Sequence, residues 1–77
     1  MTIDGFIELI EEEFEDLPKG VLTADVPFRD VFQWTSMNAL LLMALINTEF
    51  DVAIEAEDLK NSTTIRDIFN TILKKRE

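Results

Sequence analysis

Apolar residues recur at intervals of three and four in three separate blocks of this chain, and that spacing commits it to packed helices. Residues 3–17 place Ile3, Phe6, Ile7, Ile10, Phe14 and Leu17 on one face. Glu8, Glu11, Glu12, Glu15 and Asp16 fill the other. Thr2 or Asp4 can cap the start. Pro18 and Gly20 end this helix, because proline cannot extend the hydrogen-bond ladder and glycine tolerates unusual dihedrals. The last block, residues 64–75, sets Ile65, Ile68, Phe69, Ile72 and Leu73 at core spacing. Thr64 and Asp67 make a capping signature at its head, and Lys74, Lys75 and Arg76 complement the helix dipole at its tail.

The middle block is unusual. Residues 36–49 read as a helix with Ser36 as N-cap. Ala39, Leu42, Met43, Ile46 and the following Phe50 form one apolar stripe, while Met37, Leu40, Leu41 and Ala44 form a second. Leu45 lies between them. One helix of a small domain can hardly bury both stripes, and exposed contiguous apolar surface marks a binding face.

The connections carry less pattern. Residues 19–35 lack a sustained period but hold Val21, Leu22, Val26, Phe28, Val31, Phe32 and Trp34, so the segment is expected to pack down, with a short helical turn from Phe28 to Phe32. Trp34 is expected to cap the core beside the middle helix. Residues 51–61 alternate at Val52 and Ile54, then run through Glu55, Glu57 and Asp58 to Leu59, with room for a short helix. The predicted fold is all-α, a small bundle of three main helices plus one short helix, in a single domain over residues 1–77.

Composition removes whole classes of chemistry. There is no Cys and no His, so disulfides, thiolate metal sites, a cysteine nucleophile and the usual base of a serine hydrolase are all excluded. Sixteen acids against seven bases leave a net charge of −9, which repels nucleic-acid phosphates and anionic membranes. The same surface attracts proteins with basic patches. Glu11, Glu12 and Glu13 read as a solvated face, since consecutive helical positions do not converge on one ligand. The acids of residues 51–58 lack the glycine and ligand spacing of a calcium loop. The longest apolar run, residues 39–46, is too short to span a bilayer. Asp4, Glu8 and Glu11 stand where a signal peptide would need basic and then apolar residues. The expectation is a cytoplasmic, monomeric, non-enzymatic protein.

From Phe28 to Ile72 the chain resembles the acyl carrier protein family, without a gap. The family's Asp-Ser-Leu at the head of its second helix corresponds to Thr35-Ser36-Met37. Its apolar positions follow at Leu42 and Ile46, then at Phe50-Asp51 and Ile54. Its Thr-Val near the last helix corresponds to Thr64-Ile65, followed by Ile68, Phe69 and Ile72. Phe28, an anchor of the first loop, matches too, as do the acidic first helix, the length and the acidic balance.

The resemblance implies that Ser36 is esterified by 4′-phosphopantetheine from coenzyme A, through a phosphodiester made by a separate phosphopantetheinyl transferase. Acyl groups then travel as thioesters on the arm between ketosynthase or acyltransferase-type enzymes. It also implies that the outer stripe, Met37, Leu40, Leu41 and Ala44, faces those partners. The chain departs from the family pattern at Thr35 in place of Asp, at Gln33 and Trp34 in place of small residues, and at Asn38, Leu41, Asn47 and Thr48 in place of acids, with Glu49 retained. Those departures point to a carrier for a specialised lipid, polyketide or polysaccharide-acylation pathway. Two other readings stay open: a carrier-fold interaction module that is never modified, and a carrier of aminoacyl or hydroxyacyl groups for a nonribosomal system.

Overall fold

The computed structural model describes residues 1–31 and 33–76. Among the described residues, five helices run in order, α1 (Ile3–Glu13), α2 (Phe28–Val31), α3 (Ser36–Phe50), α4 (Ala56–Lys60) and α5 (Ile65–Arg76). The bundle is therefore three main helices with two short ones. The second short helix, α4, takes up the room that the acidic connector offered. Phe32, the expected end of the short turn, lies outside the described residues.

The core forms where the three long helices turn their apolar faces inward. Phe6 of α1 meets Phe50 of α3 edge-on at 5.4 Å and stacks on Phe69 of α5 at 5.8 Å. Ile10, Leu42, Ile46, Ile65, Ile68 and Ile72 are buried around these rings. Val52, Ile54 and Leu59 bring the α3–α4 segment onto the same core.

Two of the expected caps are in place. Thr2 Oγ1 accepts from the Gly5 amide at 3.2 Å. Thr64 and Asp67 cap α5 reciprocally, with Thr64 Oγ1 accepting from the Asp67 amide and Asp67 Oδ2 accepting from the amides of Thr63 and Thr64. The two backbone donors hold the Asp67 carboxyl below its ordinary range, because hydrogen bonds to the ionised form favour it. Asp58 is similarly lowered by the Glu55 amide and by Lys75, so this acid is committed to the chain's own structure.

The first helix is shorter than its apolar period. It ends at Glu13, and Phe14 turns to an extended conformation. Phe14 and Leu17 remain buried, but a turn delivers them, with the Leu17 amide donating to the Phe14 carbonyl at 3.0 Å. Glu11 is half-buried where a fully solvated face was expected, since its Oε2 accepts from the Gly20 amide at 2.7 Å. Gly20 sits at φ 85°, a left-handed conformation that glycine adopts without a side-chain penalty.

Candidate functional site

Thr35, not Ser36, caps α3. Its backbone is extended (φ −128°, ψ 167°), and its Oγ1 accepts from the Asn38 amide at 3.1 Å. The Thr35 carbonyl takes the first helical hydrogen bond, from the Ala39 amide at 3.0 Å. Ser36 is thus the first residue inside the helix, one position later than its reading as N-cap. Both residues cap well in general, and adjacency alone could not choose between them. Thr35 at the cap has a chemical consequence for its neighbour. With Thr35 doing the capping, the exposed Ser36 hydroxyl is not needed to hold the helix end.

Several contacts anchor the segment that leads into Ser36. Asn38 Nδ2 donates to the Gln33 carbonyl at 2.5 Å, tying the approach segment to the first turn. Trp34 packs edge-on against buried Phe28, with ring centres 4.9 Å apart. The Arg29 guanidinium lies 4.6 Å from the Phe28 ring centre and 5.7 Å from that of Trp34. It donates to the carbonyls of Ser62 at 2.6 Å and Leu59 at 2.8 Å, joining α2 to the end of α4. Further upstream, Pro27 bridges Thr64, and Arg66 donates its amide to the Ala24 carbonyl while its guanidinium pairs with Asp25 at 2.7 Å. The Arg66 hydrogen bond holds the Asp25 carboxyl below its ordinary range. The long segment ahead of Ser36 is therefore packed down at several points, as its apolar anchors required.

The electrostatics at Ser36 suit an anion. It stands at the positive end of a fifteen-residue helix. Thr35 Oγ1 takes the Asn38 amide, while the amides of Ser36 and Met37 have no carbonyl of their own helix within reach and remain as donors at the helix head. No acid lies on α3 before Glu49, so no carboxylate of this helix opposes an anion at its head.

The two stripes of α3 separate cleanly. Leu42, Ile46 and Phe50 are buried, and Ala39, Met43 and Leu45 are half-buried against the core. Met37, Leu40 and Leu41 are 64%, 61% and 37% exposed, and Ala44 is exposed beside them. Their spacing keeps all four on one face. Leu41 also borders a cleft of about 680 Å³ between α3 and the residues that follow α1. Sequence spacing gave no sign of that cleft, because it depends on α1 ending early and on the path of residues 14–17.

Among the described residues, no group of three carboxylates is placed to hold a metal ion. No helix among them is long and apolar enough to cross a membrane.

A family model described as a phosphopantetheine attachment site matches residues 4–72. Proteins of that family carry covalently attached 4′-phosphopantetheine. No curated protein matches the chain, and no solved structure matches it.

Proposed function

The chain belongs to the phosphopantetheine attachment-site family, and from that premise we propose that it is an acyl carrier protein whose Ser36 bears the arm. One observation carries the choice of residue. The chain has two serines, Ser36 and Ser62. Ser62 is 4% exposed and its Oγ donates to the Asp58 carbonyl at 2.8 Å. Ser36 is exposed at a helix N-terminus, open to an enzyme that must reach its oxygen.

The residues present accommodate the group. Ser36 Oγ acts as nucleophile toward the pantetheine phosphate of coenzyme A, the new P–O bond replacing the bond to the nucleotide half, which departs. The serine proton passes to a base of the transferase, since the chain has no histidine to receive it. The Ser36 and Met37 amides and the dipole of α3 would stabilise the phosphodiester charge. When bound, the arm supplies the thiol that holds acyl cargo as a thioester. The protein's own part is to tether and to present. Met37, Leu40, Leu41 and Ala44 offer partner enzymes an apolar face beside the attachment point. On this reading the protein is a cytoplasmic carrier that catalyses nothing itself and serves a specialised lipid, polyketide or polysaccharide-acylation pathway.

Incubation with a permissive phosphopantetheinyl transferase and coenzyme A is expected to add one arm, and Ser36→Ala to abolish the addition. Labelling that persists in the Ser36→Ala protein would move the site; none with any of several transferases would favour an unmodified interaction module.

Thr35 separates structure from recognition. As the cap it supplies an acceptor oxygen but no charge. Thr35→Asp keeps the acceptor and adds an anion for a basic transferase surface to read, so the modification rate by a housekeeping transferase is expected to rise at unchanged stability. Thr35→Val removes the acceptor and is expected to cost about 0.5–2 kcal/mol in urea unfolding. An unchanged rate for Thr35→Asp would show that charge at this position does not limit recognition.

A further inference from the structure

Beside the apolar face stand three carboxylates that attachment at Ser36 does not use. The cleft between α3 and the end of α1 has buried Phe14 and Leu17 and half-buried Val31 on one side, with Met37 and Leu41 on the other. Glu13, Glu15 and Asp16 also line it, and all three are exposed. Neither ion pair among the described residues, Asp25–Arg66 or Asp58–Lys75, involves them. Because α3 carries no acid before Glu49, the negative charge bordering the upper part of its apolar face comes from outside the helix.

A cleft with exposed apolar side chains at Met37 and Leu41 on one wall and exposed anions along the other is complementary to a segment that presents an apolar side chain flanked by Lys or Arg. We infer that this cleft is a docking seat for such a basic, amphipathic segment of a partner enzyme, and that Glu13, Glu15 and Asp16 select it. The inference rests on the carrier reading and names the chemistry of its partner. Methionine at position 37 suits the role, since an unbranched thioether adapts to different apolar anchors. Other occupants fit the charge less well. The arm's phosphate is held at Ser36, and the neutral remainder of the arm offers the acidic edge no cation. Two copies of a chain at −9 repel each other over their whole surfaces.

The test is an amide-shift titration of the arm-bearing chain with two amphipathic helical peptides of identical apolar face, one flanked by lysines and the other by glutamates. The lysine peptide is expected to give saturable shifts over residues 13–17 and 37–41, with affinity falling as salt rises, and the glutamate peptide to give none. A triple variant, Glu13→Gln with Glu15→Gln and Asp16→Asn, is expected to lose about tenfold in affinity for the lysine peptide, the product of three exposed charge pairs each worth a few-fold. Equal binding of the two peptides, shifts confined elsewhere, or a triple variant that binds as tightly as the parent would overturn the inference. So would shifts over residues 13–17 produced by installing the arm alone, or a concentration-dependent rise in the chain's own particle size that maps to this cleft. A chain that accepts the arm at Ser36 yet fails this titration keeps its carrier function and loses only the docking seat.

Discussion

Phe6→Ala is expected to leave the chain largely unfolded in water. Phe6 is fully buried and joins the three long helices at once, meeting Phe50 from α3 and Phe69 from α5. Truncating a buried phenylalanine costs about 3–5 kcal/mol, combining lost transfer energy with the cavity left behind. A core in a domain of this size supplies a net stability of only about 3–5 kcal/mol. No disulfide can compensate, because the chain has no cysteine. Far-UV circular dichroism through a urea titration reads the result directly. A cooperative transition near the parent's midpoint would show that the three-ring contact is not central to the fold.

Neighbouring leucines on α3 give the second large effect. Leu42 is 1% exposed, whereas Leu41 borders the open cleft. Leu42→Glu places an uncompensated charge in the core and is expected to cost several kcal/mol or to abolish folding, as unpaired buried charge does. Leu41→Glu is expected to stay within about 0.5–1 kcal/mol of the parent while weakening partner docking. Urea midpoints for the two variants, with partner affinity for the Leu41→Glu protein, separate an inward stripe from an outward one. A loss of several kcal/mol on Leu41→Glu would mean that this leucine belongs to the core, and the proposed docking face would have to shrink.

The α3 pair also shows how much the sequence reveals. Helical periodicity resolves Leu42, Ile46 and Phe50 from Met37, Leu40, Leu41 and Ala44, because one hundred degrees per residue sorts side chains without knowledge of neighbours. The Thr64–Asp67 cap was legible for the same reason: both partners lie within one turn, so the signature is local. The end of α1 was not. Phe14 and Leu17 keep the helical period and are buried, yet they reach the core through a turn that Glu11 and Gly20 hold across nine residues. Arg29 was invisible as well. Its carbonyl partners at Leu59 and Ser62 lie thirty or more residues downstream, and a lone arginine in an irregular segment gives no hint of them. At the head of α3, the local pattern located the cap to within one position. The choice between Thr35 and Ser36 as cap depends on backbone conformation, which the local pattern leaves open.

Modification in the test tube would show that Ser36 can take an arm. Modification in the cell would show that it does, and would distinguish a working carrier from a carrier-fold module that only binds. The most direct measurement is therefore the intact mass of the chain purified from its own host, followed by fragment-ion location of any added group. The expected result is the mass of one phosphopantetheine, on the free arm or with its acyl cargo, located on Ser36. The bare mass in host cells under conditions where the chain's partners are expressed, or an arm located on any residue other than Ser36, would contradict the account.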